Sequence, residues 1–126
     1  MKDTFTILIA DRNPHVRDFL KRELVAEGYE VRLARNVRET LGSIYDPEPL
    51  DLLILDLDLP DANELNILEK VRDRMPSLPV IVHTYMTDDK GRSLSLNSAT
   101  FVEKEGSNID GLKRVVRETL MRSYPK

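Results

Sequence analysis

The sequence predicts an α/β domain in which five parallel strands form one sheet with helices on both faces, a doubly wound arrangement. Short apolar runs alternate with segments of helical periodicity along the chain of 126 residues, which is typical of such sheets. The clearest run, residues 52–55, leads directly into Asp56. A run so short and so apolar predicts a strand buried on both faces. Pro60 cannot continue that strand, so residues 56–61 are predicted to form a loop at its carboxyl end.

The first predicted strand and helix open the chain. Residues 4–10 are mostly apolar and end at Asp11, so they predict a strand with a carboxylate at its carboxyl end. Asn13 and Pro14 predict a helix start, because asparagine caps free N–H groups and proline suits the first helical position. The helix carries apolar residues at Val16, Phe19, Leu20 and Leu24. Gly28 is predicted to end it.

The second strand and helix are shorter. Residues 30–34 predict a strand, and Asn36 with Glu39 three positions later resembles a capping box. The apolar side of this helix is formed by Val37, Leu41 and Ile44. Two prolines within residues 46–49 interrupt the regular structure, and residues 51–56 then form the predicted central strand.

The second half of the chain predicts two further strands and two clear helices. The third helix carries apolar residues at Leu65, Leu68, Val71 and Met75, and Pro76 closes it. Residues 79–84 predict a fourth strand, and residues 99–102 predict a fifth and shorter one. Ser107 or Asn108 caps a last helix. Its apolar side is formed by Ile109, Leu112, Val115, Val116 and Leu120.

Residues 87–97 should contain a helix between the fourth and fifth strands, but this segment is a poor helix former. Gly91 and the serines lower its helix propensity. Its apolar residues, Leu94 and Leu96, are two positions apart instead of three or four. We therefore expect a short or irregular fourth helix here.

Composition predicts a single soluble domain over residues 1–126. The net charge of −3 gives no attraction to nucleic acid. No apolar run approaches the ~20 residues of a membrane span, and the start of the chain lacks a secretory signal, so we expect a cytoplasmic protein. The absence of cysteine excludes disulfides and thiol catalysis. His15 and His83 lack the spacing of a metal motif, and His83 is predicted to be a structural histidine.

Four polar residues are predicted to meet at one edge of the sheet. Asp11, Asp56, Thr84 and Lys104 each follow or end a predicted strand, and the carboxyl ends of parallel strands lie at the same edge. Two carboxylates, a hydroxyl and an ammonium group suit phosphoryl chemistry. One carboxylate can be the nucleophile, the other can help to hold Mg²⁺, and the remaining two groups can bind phosphoryl oxygens.

With these motifs in this order, essentially the whole chain resembles the receiver domains of two-component response regulators, which have a CheY-like, flavodoxin-like (βα)5 fold. The resemblance depends on residues 7–11, 53–56, 59–60, 79–84 and 101–104. It implies a phosphorylatable signalling domain that is not an enzyme beyond catalysing its own phosphorylation and dephosphorylation. It also implies a histidine kinase or phosphotransfer protein as the phosphoryl donor.

By the same resemblance, Asp56 is the phosphoacceptor. Asp11 is one member of the acidic pair that holds Mg²⁺, and Asp58 stands where the family uses a backbone carbonyl as a metal ligand. Thr84 corresponds to the switch hydroxyl.

Phe101 corresponds to the switch aromatic residue, and Lys104 to the lysine that pairs with the phosphoryl group. The output partner or domain would bind the face formed by the fourth helix, the fifth strand and the last helix. A homodimer through this face is a further option.

The chain departs from the family pattern at several places. Arg12 replaces the second acidic residue, residues 63–64 replace Asp-Gly, and Glu105 replaces the proline that usually follows the lysine. At ~4 Å and an effective dielectric of about 20, an arginine attracts a carboxylate by ~4 kcal/mol. Arg12 is therefore predicted to weaken or prevent Mg²⁺ binding. The alternative is that Arg12 turns outward and the site works normally.

Two other functions are compatible with the sequence. A pseudo-receiver would use the same fold as a protein-interaction module that does not depend on phosphorylation, and the departures from the family pattern favour it. Residues 56–58, Asp-Leu-Asp, also resemble the motif of haloacid-dehalogenase-type phosphatases. That motif normally opens its domain, and the ~70 residues that follow are few for such a fold.

Overall fold

The computed structural model describes residues 4–61, 67–72, 78–84, 99–104 and 109–125. Strands and helices alternate along the described chain, as predicted. The strands are β1 (Thr6–Ala10), β2 (Glu30–Ala34), β3 (Leu52–Leu55), β4 (Val80–Thr84) and β5 (Ala99–Glu103). The helices within the described ranges are α1 (Pro14–Ala26), α2 (Val37–Ile44), α3 (Ile67–Arg72) and α4 (Ile109–Ser123). The helix expected within residues 87–97 lies outside the described residues.

The five strands form one parallel sheet in the order β2-β1-β3-β4-β5, so the predicted doubly wound α/β fold is confirmed. The chain moves from β1 to one side of the sheet to form β2, and then returns to the other side of β1 to form β3. The order of the strands therefore reverses between β1 and β3. In open α/β sheets, the crevice beyond the carboxyl ends of two such strands is the usual place for a ligand.

Two apolar layers hold the helices against the sheet. Leu53 and Leu55 belong to the layer that includes residues of α2 and α3. Leu52 and Ile54 belong to the layer that includes residues of α1 and α4. All four side chains are at most 1% exposed, and full burial of one leucine or isoleucine is worth about 1.5–3 kcal/mol. Burial of β3 on both faces explains why its sequence is a continuous apolar run.

The predicted start and end of α1 are both observed. The side chain of Asn13 accepts hydrogen bonds from the N–H groups of His15 and Val16 at 2.9 and 3.4 Å. Gly28 follows the helix with a φ of +98°, a conformation that side chains other than glycine rarely adopt. These local signals fix where α1 begins and how the chain turns into β2.

The start of α2 differs from a capping box. Asn36 accepts a hydrogen bond from the Glu39 N–H at 2.8 Å, as predicted. The Glu39 carboxylate, however, accepts from the N–H of Arg35 and also pairs with the guanidinium of Arg35 at 2.7 Å. The arginine side chain thus holds Glu39 one residue further back than a capping box requires.

The residues that follow α4 contact the sheet at the amino ends of its strands. The hydroxyl of Tyr124 donates to the carbonyl of Asp51 at 2.8 Å, and its ring packs against Phe5 at 5.7 Å between centroids. Asp51 in turn accepts a hydrogen bond from the Thr6 N–H at 2.8 Å. The amino ends of β1 and β3 are therefore fastened together. No helix in the described ranges is long and apolar enough to span a membrane.

Candidate functional site

Two buried carboxylates stand side by side at the point where the strand order reverses. Asp11 directly follows β1 and Asp56 directly follows β3, and each is 1% exposed. The Asp11 N–H donates to Ala34 at 3.1 Å and the Asp56 N–H donates to Ala10 at 2.9 Å, so both residues extend the sheet ladder. The sheet therefore fixes the backbone of both carboxylates.

Lys104 reaches these carboxylates from the far side of β4. Its ammonium nitrogen lies 2.9 Å from Asp11 Oδ2 and 3.4 Å from Asp56 Oδ2, and its side chain is 4% exposed. Neighbouring strands are spaced by about 4.8 Å, so β5 is about 10 Å from β3 and only a long side chain can cross β4. The structure thus brings together Asp11, Asp56 and Lys104, which the sequence predicts at one edge.

Main-chain N–H groups hold the carboxylates in orientation. Asp56 Oδ2 accepts from the Arg12 N–H at 3.2 Å, and Asp56 Oδ1 accepts from the Asp58 N–H at 3.0 Å. Asp11 Oδ1 accepts from the Asn13 N–H at 2.9 Å. These donors offset part of the cost of burying two like charges.

Asp11 shows the remaining cost of burial. Desolvation raises the pKa of the Asp11 carboxyl above its ordinary value. The hydrogen bonds from the Asn13 N–H and Lys104 act against this shift, while the nearby Asp56 charge adds to it. A neighbouring carboxylate and a low dielectric both favour the protonated form, while the Asn13 N–H and Lys104 favour the ionised form.

Arg12 lies across the mouth of this pocket. Its guanidinium Nε is 3.8 Å from Asp56 Oδ2, and its Nη2 is 3.8 Å from Asp58 Oδ2. Both distances are ion-pair contacts longer than direct hydrogen bonds. The Arg12 side chain is 48% exposed, whereas that of Asp56 is fully buried. The guanidinium therefore faces the pocket from its solvent side, and the outward orientation considered for it is not the one observed.

Two residues of the site were not predicted from the sequence. The Arg17 guanidinium donates to the carbonyl of Asp11 at 2.7 Å, and the Asp61 carboxylate accepts from the N–H groups of Val37 and Arg38 at 2.6 and 3.2 Å. Arg17 could have been indicated by its position in the sequence, because it lies one helical turn after Asn13 and therefore in the first turn of α1. Asp61 had no local signal, because its partners are 24 and 23 residues away.

The structure describes the two predicted switch residues, Thr84 and Phe101, to different extents. Thr84 ends β4 and is opposite Glu103 in the register of β5, but its side chain is outside the described part of the structure. Phe101 is half-buried and packs against the apolar layer of α2 and α3. That layer is on the face of the sheet opposite the layer of α1 and α4, to which its neighbour Val102 belongs.

His83 is buried beside the site, as predicted for a structural histidine. It is 8% exposed, and its Nδ1 has no hydrogen-bond partner among the described residues. Burial and the nearby Lys104 charge together lower the pKa of His83 to about 4, against a smaller opposite effect of Asp56. The imidazole is therefore neutral at neutral pH.

A divalent metal is a poor match for the described groups. Mg²⁺ requires near-octahedral oxygen ligands. Here both Asp11 oxygens and both Asp56 oxygens already accept hydrogen bonds or pair with cations. Arg12 adds a positive charge at the mouth, and no group of three or more acidic or histidine side chains in the described ranges is arranged to hold a metal. The charge of Arg12 therefore disfavours a tightly bound Mg²⁺ at this site.

The fold is that of an open α/β domain with a charged pocket at the strand-order reversal, and comparison with known proteins gives the family. The response regulator receiver domain family matches residues 7–116, so this chain belongs to that family. The resemblance predicted from the sequence is confirmed, and with it the role of a receiver domain in two-component signalling. Membership of this family does not support an enzyme, and the phosphatase alternative is not retained.

Two relatives are transcriptional regulators. The chain is 34% identical to a probable transcriptional regulatory protein of Picosynechococcus over 95% of its own length and 53% of that protein. It is 38% identical to the DNA-binding transcriptional regulator NtrC of Bradyrhizobium over 65% of its own length and 18% of that protein. The chain thus spans about half of the first of these relatives and less of the second.

Two solved structures cover nearly the whole chain. The CheY-like receiver domain protein of Methanospirillum hungatei has a TM-score of 0.82 and 28% identity, over 98% of this chain and all of that one. The response regulator TrrA of Thermotoga maritima, in complex with Mg²⁺ and BeF, has a TM-score of 0.79 and 30% identity. That match covers 91% of this chain and 98% of TrrA. TrrA has also been solved in complex with the histidine kinase ThkA.

Proposed function

We propose that this chain, as a single receiver domain over residues 1–126, accepts a phosphoryl group on Asp56 and thereby changes its affinity for a partner. The observation that carries the proposal is the fully buried Asp56 side chain at the strand-order reversal, with Lys104 at 3.4 Å. The donor would be a cytoplasmic histidine kinase or phosphotransfer protein. The complex of TrrA with its kinase ThkA supports a partner of this kind.

The chemistry needs few groups. A carboxylate oxygen of Asp56 attacks the phosphorus of a phosphohistidine, the P–N bond breaks, and its electron pair stays on the leaving imidazole. The N–H groups of Arg12 and Asp58 hold the Asp56 carboxylate in place. Lys104 balances the additional negative charge of the phosphoryl group, with Asp11 keeping its ammonium group in position.

Magnesium is expected to have a reduced role in this pocket. Mg²⁺ accompanies BeF in the TrrA complex, but in this chain Arg12 stands within 3.8 Å of both Asp56 and Asp58. The expected result is weak Mg²⁺ binding that an Arg12→Asp substitution strengthens. A Mg²⁺ titration of both proteins, followed by NMR, compares the two affinities directly, and equal affinities would contradict this expectation.

The output surface would include β5 and α4, and the remainder of the predicted face, the helix expected within residues 87–97, lies outside the described residues. The exposed side of α4 carries Arg114, Arg117, Met121 and Arg122. We propose that phosphorylation reaches this surface through Thr84 and Phe101 and alters the binding of an output domain or protein, or of a second copy of the chain. Neither nucleic acid nor a membrane is an expected direct partner.

A pseudo-receiver is the second candidate, and the position of Arg12 favours it. Asp56 already has two cations, Arg12 and Lys104, within 3.8 Å before any phosphoryl group is added. A carboxylate neutralised in this way could serve a permanently folded binding module that needs no phosphorylation. This candidate predicts that partner binding is the same for the wild-type chain and for an Asp56→Asn variant.

The two candidates are separated by intact mass spectrometry after incubation with acetyl phosphate. The receiver predicts a phosphoryl adduct on the wild-type chain and none on Asp56→Asn, which has the same size and lacks the nucleophilic charge. Beryllofluoride binding followed by ¹⁹F NMR detects an acceptor whose phosphoryl adduct hydrolyses quickly. If neither an adduct nor beryllofluoride binding is found, the pseudo-receiver replaces the receiver as the proposed function.

A further inference from the structure

We infer that Arg12 supplies, from within the chain, the positive charge that a divalent cation would bring, so that the pocket takes up a phosphoryl group without a metal ion. This inference rests on the proposed role of Asp56 as phosphoacceptor. It concerns the regulation of that site, because the extent of phosphorylation then depends on the phosphoryl donor alone and not on the concentration of free divalent cations.

The first support is the balance of charge. Among the described residues, three carboxylates, those of Asp11, Asp56 and Asp58, share the pocket with Arg12 and Lys104, and their formal charges sum to −1. An Arg12→Asp variant of this chain would have a net charge of −3 there. A divalent cation would then be needed to return the pocket to −1. The arginine therefore makes the same electrostatic difference as a bound Mg²⁺.

The second support is geometric. Arg12 contacts the same Asp56 oxygen twice, through its main-chain N–H at 3.2 Å and through its guanidinium Nε at 3.8 Å. The backbone contact fixes where the side chain starts, and Asp58 holds its far end at 3.8 Å. The guanidinium is thus positioned at the mouth by three contacts before any ligand arrives. Charge that is already held close to the pocket needs little rearrangement when negative charge develops.

The third support is the chemistry of the guanidinium group. It presents planar N–H donors that match two oxygens of a phosphoryl group, and it is always charged. The observed spacing of 3.8 Å is about 1 Å longer than a charge-assisted hydrogen bond. Half of the side chain is exposed to solvent, so a small movement toward the pocket can shorten the contact to a phosphoryl oxygen.

The reaction balances without a further reactant. With acetyl phosphate as the donor, a carboxylate oxygen of Asp56 forms a bond to phosphorus while the bond from phosphorus to the acetate oxygen breaks. The electron pair of that bond leaves with acetate. Arg12 and Lys104 face the phosphoryl oxygens from the two sides of the pocket and offset the added negative charge.

The test measures the phosphoryl adduct by intact mass after incubation with acetyl phosphate in EDTA and, separately, in Mg²⁺. The expected yield for the wild-type chain is the same in both buffers. Arg12→Asp should form an adduct only with Mg²⁺. Arg12→Gln keeps a polar side chain without the charge and should react about 100-fold more slowly than wild type in EDTA. Arg22→Asp makes the same charge change at an exposed position of α1 and should behave as wild type.

Beryllofluoride binding, followed by ¹⁹F NMR with and without Mg²⁺, provides a second readout that does not depend on adduct lifetime. A wild-type response that requires Mg²⁺ in both experiments overturns the inference and leaves Asp56 as the phosphoacceptor. An Arg12→Asp variant that reacts as well as wild type in EDTA also overturns it. No adduct and no beryllofluoride binding in either buffer overturns the proposed function together with the inference.

Discussion

His83 is a buried residue whose protonation is linked to folding. Its imidazole is neutral and buried next to the cation of Lys104, and its Nδ1 lacks a hydrogen-bond partner among the described residues. A proton on this ring would therefore be buried close to a positive charge. In the unfolded chain the same ring takes up a proton near its ordinary pKa of 6.5.

This difference predicts a loss of stability in acid. The pKa of His83 is about 4 in the folded chain and 6.5 in the unfolded chain, so the unfolded chain binds more protons between these values. Stability is therefore complete above pH 6.5 and falls as the pH drops toward 4. Between pH 6.5 and about 5 the free energy of unfolding should decrease by about 2 kcal/mol.

Urea unfolding of the wild-type chain and a His83→Leu variant at these two pH values checks the prediction. The variant cannot take up the proton, so most of the decrease should disappear. His15→Gln, which removes an exposed histidine, should keep the wild-type decrease. An equal decrease in wild type and His83→Leu would show that other groups cause the acid sensitivity.

Some contacts between the residues of the site could be predicted from the sequence, and others required the structure. The meeting of Asp11, Asp56 and Lys104 was predictable, because each follows a strand and parallel strands end at one edge. The contact of the Arg17 guanidinium with the Asp11 carbonyl was not predicted, because it depends on the rotamer of a long side chain. The charge of Arg12 was noted from the sequence, but its simultaneous contacts with Asp56 and Asp58 required the structure.

Among the elements, α2 has an N-terminus that is capped from two sources. Asn36 binds the Glu39 N–H from within the helix start, and Asp61 binds the N–H groups of Val37 and Arg38 from the loop after β3. Desolvation would raise the pKa of the Asp61 carboxyl, but these two N–H groups, the N–H of Asp61 itself and the charge of Arg38 together lower it. The loop that carries Asp58 is thereby attached to α2.

Asp61→Ala should lower the free energy of unfolding by about 1 kcal/mol, the usual value of a helix cap. Because the folded pKa of Asp61 is lowered, its contribution is present above pH 3.8 and is lost as the pH falls below that value. Chemical denaturation at neutral pH measures the loss, and amide exchange at Val37 and Arg38 locates it. Asp61→Asn, which retains one carbonyl acceptor, should lose less, and unchanged amide exchange in Asp61→Ala would contradict the role as a cap.

The predictability of the elements follows the range of the interactions that define them. Asn13 and Gly28 set the ends of α1 through contacts within a few residues, and the sequence indicated both. The pairing of Glu39 with the Arg35 N–H departs from a capping box because a neighbouring side chain competes for the carboxylate. The second cap of α2 comes from 24 residues away, which no periodicity in the sequence encodes.

At the level of the whole molecule, the carboxyl ends and the amino ends of the strands have different roles. The carboxyl ends of the strands carry the charged pocket, and the amino ends are fastened by Tyr124, Asp51 and Phe5. The fold class could be predicted because strands and helices alternate, whereas the strand order β2-β1-β3-β4-β5 required the structure. The fastening by Tyr124 could not be predicted either, because its partner Asp51 is 73 residues away in the chain.

Tyr124→Phe should lower the free energy of unfolding by about 1 kcal/mol, because it removes one part-buried hydrogen bond and leaves the Asp51 carbonyl without that donor. The dependence of this free energy on denaturant concentration should not change. Tyr45→Phe is a matched control, since the Tyr45 hydroxyl also donates to a carbonyl at 2.8 Å, that of Lys70, but in an exposed position. An equal loss in both variants would show that the contact with Asp51 has no special role.

The separation of the two edges has a practical consequence for building a biosensor. A five-residue strand is about 17 Å long, so a fluorophore attached next to Tyr124 stands about one strand length from Asp56. At that distance it neither blocks the donor nor alters the charge of the pocket. A second fluorophore on the exposed side of α2, which packs on the other face of the sheet, would complete an energy-transfer pair for movement of α4 relative to the sheet.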